Sequence, residues 1–226
     1  MTSKILQNGT AIVWDDDTQS LKTLPNVSIL ITEDRIAAIA GSIDQLCAPP
    51  DVEIIDVSGM IVTPGFVNTH CHMWQTAFRT MAPDIFIAQY FGWLSQMGSA
   101  TKSFSGSDVY ISCLEGYCEG LNAGVTSVLD HATANWKPDV VLPSFRAAED
   151  SGARVWWCHD LHPSDEQQLA TLEKTRDELD AKGGLVSLGL APDMFNWSDD
   201  ASVAQLKDIS RQAPSLRPRE LPLTSY

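Results

Sequence analysis

From Pro64-Gly65 onward, short apolar runs alternate with longer amphipathic stretches, and that rhythm restricts the chain to an α/β architecture built on a parallel sheet. Apolar strands are expected at Phe66–His72, Val125–His131, Arg154–His159 and Leu185–Ala191. Helix signals lie between them. Ser107 is placed to cap a helix carrying Val109, Leu114, Tyr117, Cys118 and Leu121, closed by Gly124. Ser164 with Gln167 forms a capping box for a helix through Leu169, Leu172 and Leu179 that stops at Gly183-Gly184. A further helix from about Ser198 to Ala213 leads into Pro214, and Leu221–Ser225 has the composition of a fifth strand's start. Such a sheet is either open and doubly wound or part of a barrel. No Gly-x-Gly-x-x-Gly or phosphate loop follows any strand, so the dinucleotide-binding version has no support. Four strands cannot close a (β/α)8 barrel, which takes about 250 residues by itself.

The first 62 residues have a different character, that of a small β unit. Ile5–Gln7 and Thr10–Val13 flank Asn8-Gly9, whose tolerance of positive φ reads as a hairpin turn. A second hairpin is expected where Val27–Thr32 turns at Glu33-Asp34 into Arg35–Ala40. Glu53–Val57 follows as a strand, with a turn at Ser58-Gly59. The expected domain division is therefore 1–62 for the small β unit and 63–226 for the strand-and-helix portion.

Composition narrows the partners. Among 226 residues, Asp and Glu outnumber Lys and Arg 29 to 15, a formal charge of −14. Phosphate recognition needs clustered Lys and Arg, so a nucleic-acid partner is not expected. The start of the chain lacks the apolar core of a secretory signal, and no run approaches the roughly 20 apolar residues that cross a bilayer. Five scattered cysteines do not form a disulfide pattern. Cys113 and Cys118 lie about 140° apart on a helix, which makes them poor co-ligands. A reducing cytoplasm is the expected location.

The chemistry is concentrated in Thr63-Pro64-Gly65-Phe66-Val67-Asn68-Thr69-His70-Cys71-His72. Side chains alternate along a strand, so His70 and His72 share a face with Asn68 and Phe66. Val67, Thr69 and Cys71 take the other face, where helices would pack. Two imidazoles at the carboxyl end of a strand can hold one divalent ion, and nitrogen donors suit zinc or ferrous iron. A cupin also carries paired histidines but needs a Glu four or five residues later; Met73-Trp74-Gln75-Thr76-Ala77 supplies none.

The run from Val52 through Ile61-Val62-Thr63-Pro64-Gly65 to His72 resembles the amidohydrolase superfamily, as does Ile29–Ala40. Ala123–His131 resembles that family's second barrel strand and Ser151–Val155 the approach to its third. The resemblance spans roughly residues 4 to 195. It implies the N-terminal part of a metal-dependent (β/α)8 barrel, about four strands, preceded by a small β-sandwich. The similar subgroup includes cytosine, guanine and adenosine-type deaminases and triazine hydrolases, which act on carbon–nitrogen or related bonds of small heterocycles. Leu185–Ala191 lacks the carboxylated lysine of the binuclear branch, so a single metal ion is implied.

The resemblance carries metal ligation onto His70 and His72, with a bound water activated for attack on the substrate. It places a further His and an Asp ligand, and the Glu and His that move protons, on later strands. His131, His159 and His162 come too early in the chain for those positions. Gln75 looks like the substrate-binding position of some purine and triazine enzymes, and His131, at the end of strand two, is a second substrate-binding candidate. His159 and His162 flank Asp160 in an expected loop without a metal role. Trp74, Trp93, Trp136, Trp156 and Trp157 read as packing residues, with no basic groove to make them a base-stacking platform. Two expectations follow. One is a heterocycle deaminase or related hydrolase in complete form. The other is a truncated, catalytically inactive chain with at most a binding role. In either case the open sheet edges of an incomplete barrel are expected to favour self-association.

Overall fold

The computed structural model describes residues 3–81, 83–95, 97–161, 166–182, 184–193 and 199–212, with the side chains of residues 167, 178–182 and 212 left aside. The chain is mixed α/β and divides into two compact units, residues 1–65 and 66–226.

The first unit is a five-stranded sheet. Strands β1 (Ser3–Asp15), β2 (Ser20–Thr32), β3 (Arg35–Ala40) and β4 (Glu53–Asp56) lie in the order β3-β2-β1-β4, and β5 (Ile61–Val62) also pairs with β1. The hairpin expected at Asn8-Gly9 is absent: β1 runs straight through it, and Asn8 spends its φ of 65° on a bulge. A side chain at Gly9 would meet Val57 Cγ2 at 2.9 Å, so the glycine is there for close approach rather than for a turn. The chain reverses instead after Asp15, whose carboxylate accepts from the backbone N–H groups of Asp17 and Thr18 at 3.0 and 3.3 Å. The hairpin at Glu33-Asp34 forms as expected, with Glu33 at φ 57°. Ala11, Val27 and Ile29 make the small core of this unit.

The second unit carries four parallel strands, β6 (Phe66–Cys71), β7 (Val125–Ala132), β8 (Arg154–Asp160) and β9 (Val186–Ala191), in that order. Helices α1 (Ile87–Trp93), α2 (Gly106–Asn122), α3 (Pro138–Ser151), α4 (Glu166–Lys182) and α5 (Asp200–Gln212) intervene and follow. Helix α2 begins two residues earlier than the sequence suggested. Ser105, not Ser107, is its N-cap; its hydroxyl accepts from Asp108 N while the Asp108 carboxylate accepts from Ser105 N at 2.8 Å. That reciprocal box satisfies two otherwise orphaned donors, and an acidic residue at the helix start also suits the dipole. The capping box sought at Ser164, the stop at Gly183, the Ser198 start and the Leu221–Ser225 strand lie outside the described residues.

One face of the parallel sheet packs on the helices. Val128, Ala132, Val155, Trp157, Val186 and Leu188 point into a core shared with Val109, Cys113, Tyr117, Val140 and Phe145. Cys113 is buried and Cys118 exposed, as their angular separation requires. The same face of β6 is covered only at its end: Cys71 joins the core, whereas Val67, expected beneath a helix, is 62% exposed. The segments after β6 are a 3-10 stretch (Met73–Phe78) and the short α1. Among the described residues, no helix is long and apolar enough to cross a membrane.

Candidate metal centre

Parallel pairing aligns the carboxyl ends of β6 and β7, and alternation then turns three imidazoles toward one another. The ring centres of His70 and His72 are 5.0 Å apart, those of His70 and His131 5.2 Å, and those of His72 and His131 5.1 Å. One nitrogen from each ring lies within 4.8 Å of the others. His70 is exposed and the other two are half-buried.

The orientation of His72 is fixed by the neighbouring strand. Its Nδ1 is 2.8 Å from the backbone carbonyl oxygen of His131. A carbonyl can only accept, so Nδ1 carries the proton and the neutral ring presents the Nε2 lone pair. Metal-binding histidines are typically held in this way, by a carbonyl or carboxylate on the other ring nitrogen.

Behind the histidines lies a buried carboxylate that sequence reasoning passed over. Asp130, 1% exposed, accepts from Tyr117 Oη at 2.6 Å and from the backbone N–H of Met73 at 3.2 Å. Burial pushes its pKa up to about 6, against the lowering effect of those two donors and of His70. Burial likewise pushes the Tyr117 hydroxyl and the Cys71 thiol well up. The signal in the sequence was a lone carboxylate on the apolar face of Val125–Ala132; its partner is 13 residues away on α2, where no local pattern shows it.

His131 has a second neighbour. Its Nε2 is buried and lies 3.0 Å from Asp193 Oδ2, an ion pair when the ring is protonated. Burial lowers the His131 pKa, opposed by the Asp193 carboxylate, with His72 and His70 lowering it further. Asp160, next to this pair, has its own backbone and side-chain oxygens bonded by Asn135 Nδ2, at 2.8 and 3.3 Å. His159 ends the strand expected at Arg154–His159 and does not lie in the loop expected around Asp160. It belongs to β8, is fully buried on the helix-facing side, and stacks on Trp157 at 5.4 Å. His162 lies outside the described residues.

Gln75 follows His72 in the 3-10 stretch. Its Nε2 donates to Tyr90 Oη at 2.8 Å and to the Leu94 carbonyl at 3.0 Å, and it lines a cleft of about 570 Å³ with Phe78, Arg79, Ile87, Tyr90 and Leu94. Of the tryptophans, Trp74 and Trp157 are core residues, and Trp136 packs on Trp74 at 4.8 Å. Trp93 is 41% exposed.

The donors near the strand ends are three imidazoles, with the Asp160 and Asp193 carboxylates close to His131, and one ring already has its tautomer set for ligation. Those residues fit a zinc or ferrous ion. The chain is 26% identical over 224 residues to a 5'-deoxyadenosine deaminase of Methanosarcina mazei, covering 94% of this chain and 47% of that one. It is 32% identical over 155 residues to a 5-methylthioadenosine/S-adenosylhomocysteine deaminase of Symbiobacterium thermophilum, covering 68% and 33%. It thus spans less than half the length of either relative. In fold it is similar to an adenosine deaminase from Xanthomonas campestris crystallised with zinc, with a TM-score of 0.69 at 16% identity over 94% of this chain and 47% of that one. Residues 61–213 match the Amidohydrolase family profile, and the chain belongs to that family.

Proposed function

We propose that this chain is the N-terminal portion of a metal-dependent deaminase acting on a small heterocycle, an adenosine-like nucleoside being the favoured substrate class. The observation that carries the reading is the His70–His72 pair at the carboxyl end of the first parallel strand, with His72 Nδ1 tied to the His131 carbonyl. In this reading β6 to β9 are the first four strands of a (β/α)8 barrel, whose active site lies at the strands' carboxyl ends. Residues 1–62 form part of a β-sandwich and 63–226 the barrel portion. The similarity to two adenosine-type deaminases supports the substrate class.

His70 and His72 hold the ion, zinc or iron. When bound, such an ion supplies Lewis acidity and lowers the pKa of a coordinated water toward neutrality. The residues of this chain have a positioning task. The His131 carbonyl keeps the His72 lone pair directed outward, and Asp130 holds the backbone at Met73, so the ligating strand end is clamped at two successive residues. Gln75 commits its amide nitrogen to Tyr90 and Leu94, which leaves its carbonyl oxygen to accept from an N–H of a bound heterocycle. His131, at the end of β7, would line the substrate pocket. The ligands and proton-transfer groups implied for later strands would complete the reaction, and a cytoplasmic location accords with the free cysteines.

A protein carrying this chain together with the remainder of such a barrel is the material for the test. It is expected to release ammonia from 5'-deoxyadenosine or 5'-methylthioadenosine, to stop when the metal is chelated, and to recover with zinc or iron. Chelator-resistant activity, or none on any nucleoside, purine or triazine, would overturn the reading.

A further inference from the structure

We propose that His131 is a third metal ligand, so that the ends of the first two parallel strands alone form a three-histidine site. The inference rests on the metal-dependent reading above but assigns His131 to the ion rather than to the heterocycle.

The spacing of the rings carries it. Zinc binds imidazole nitrogen at about 2.0–2.1 Å, and a ring centre lies about 1.2 Å beyond the nitrogen, so three imidazoles on one tetrahedral ion have centres about 5.2 Å apart. The three observed separations are 5.0, 5.2 and 5.1 Å. An equilateral triangle of that size is not required by strand geometry. His70 and His72 are fixed at their spacing by alternation along β6, but His131 could be displaced along β7 or turned away without disturbing any ladder bond.

Two further observations point the same way. Nε2 of His131 is buried rather than turned to solvent. Asp193 Oδ2 stands 3.0 Å from that nitrogen, a carboxylate that favours positive charge there. The backbone of His131 is already engaged with His72 through its carbonyl, so the third ring is registered to the second by a direct bond. With ring centres in place, rotation of the imidazoles suffices to bring donor atoms from within 4.8 Å of one another onto a common ion.

The test uses the 226-residue chain, stripped with chelator and titrated with cobalt(II) alone. We expect one equivalent to bind with the visible ligand-field absorption of a tetrahedral ion. His131→Gln should weaken binding by at least roughly tenfold, the lower bound for losing even a group that merely orients a ligand. His131→Cys supplies a thiolate in place of the imidazole and should add a near-ultraviolet sulfur-to-cobalt charge-transfer band, which no packing or substrate-lining role would produce. A chain that binds cobalt through His70, losing it in His70→Ala, but binds equally well as His131→Gln and shows no new band as His131→Cys, would overturn this inference and leave the metal-dependent reading standing. Cobalt affinity indifferent to both His70→Ala and His131→Gln would remove both.

Discussion

The Nδ1 atom of His72 sits 2.8 Å from the carbonyl oxygen of His131, a bond from the first parallel strand's end to the second's. It converts a sequence pattern into a chemical state, because the tautomer that donates to a carbonyl is the one that can ligate through Nε2. In the metal-free chain above pH 8, long-range nitrogen-15 correlation spectra are expected to show the His72 proton on Nδ1. A proton on Nε2 would mean that the ring faces the other way and is not prepared for an ion.

Tyr117 should be the most sensitive side chain behind the site. Tyr117→Phe removes the 2.6 Å bond to Asp130 and leaves a fully buried carboxylate with one donor fewer. Hydrogen bonds to charged groups contribute about 1.5–3 kcal/mol, so denaturant melts at pH 8 should show a loss of that order. An unchanged midpoint would indicate that Asp130 is not ionised or not dependent on Tyr117.

Asp130 also gives stability a pH dependence of defined sign. Its pKa is raised by burial from 3.8 to about 6, so between those values the folded chain holds the proton that the unfolded chain has lost. Its contribution to stability therefore falls as pH rises from about 4 to about 6 and is flat above, by up to about 3 kcal/mol in total. With a chelator present, comparison with Asp130→Asn should isolate this slope, since the variant cannot titrate. A wild-type profile that parallels the variant's through that window would contradict the assignment.

Gly116 lets α2 approach the stretch that follows His72. A Cβ there would collide with Thr76 Oγ1 and come within 2.8 Å of Met73 Sδ, and the Thr76 hydroxyl is held by a 2.8 Å bond to the Met73 carbonyl. Alanine would gain about 1 kcal/mol in helix propensity, but overpacking costs typically about 1–3 kcal/mol, and breaking the Thr76 bond adds to it. Gly116→Ala should lower the melting temperature. A rise would show that the 3-10 stretch yields freely.

What the sequence revealed and concealed follows the range of each interaction. Alternation is local, so the strand positions and the shared face of His70 and His72 could be read directly. Asn8-Gly9 misled because positive φ serves a bulge as well as a turn, and only Val57, brought alongside by pairing, decides between them. Ser105 and Ser107 both have helix-starting chemistry; the acidic residue three positions after Ser105 settles the cap, a signal present but overlooked. Asp130 and the His131–His72 bond depend on contacts across 13 and 59 residues, which no periodicity reports.

The 226-residue chain by itself is expected to release no ammonia from nucleosides, with or without zinc, because the proton-transfer groups implied by the family lie on later strands. It should also self-associate. β6 and β9 are the outer strands of the four, and Phe66 and Val67 are 66% and 62% exposed. Size-exclusion chromatography showing a monomer with one sharp melting transition would contradict the second expectation, and ammonia release abolished by His72→Ala would contradict the first.

The central claim is that His70 and His72 hold a divalent ion. Plasma emission spectroscopy on purified protein, unaltered and as His72→Ala, tests it most directly, with circular dichroism to confirm that both are folded. The unaltered protein should carry about one zinc or iron per chain and the variant little, since a site built on imidazole nitrogens loses most of its affinity with one of them. Equal metal in the two, or none in either after growth with added zinc and iron, would contradict it.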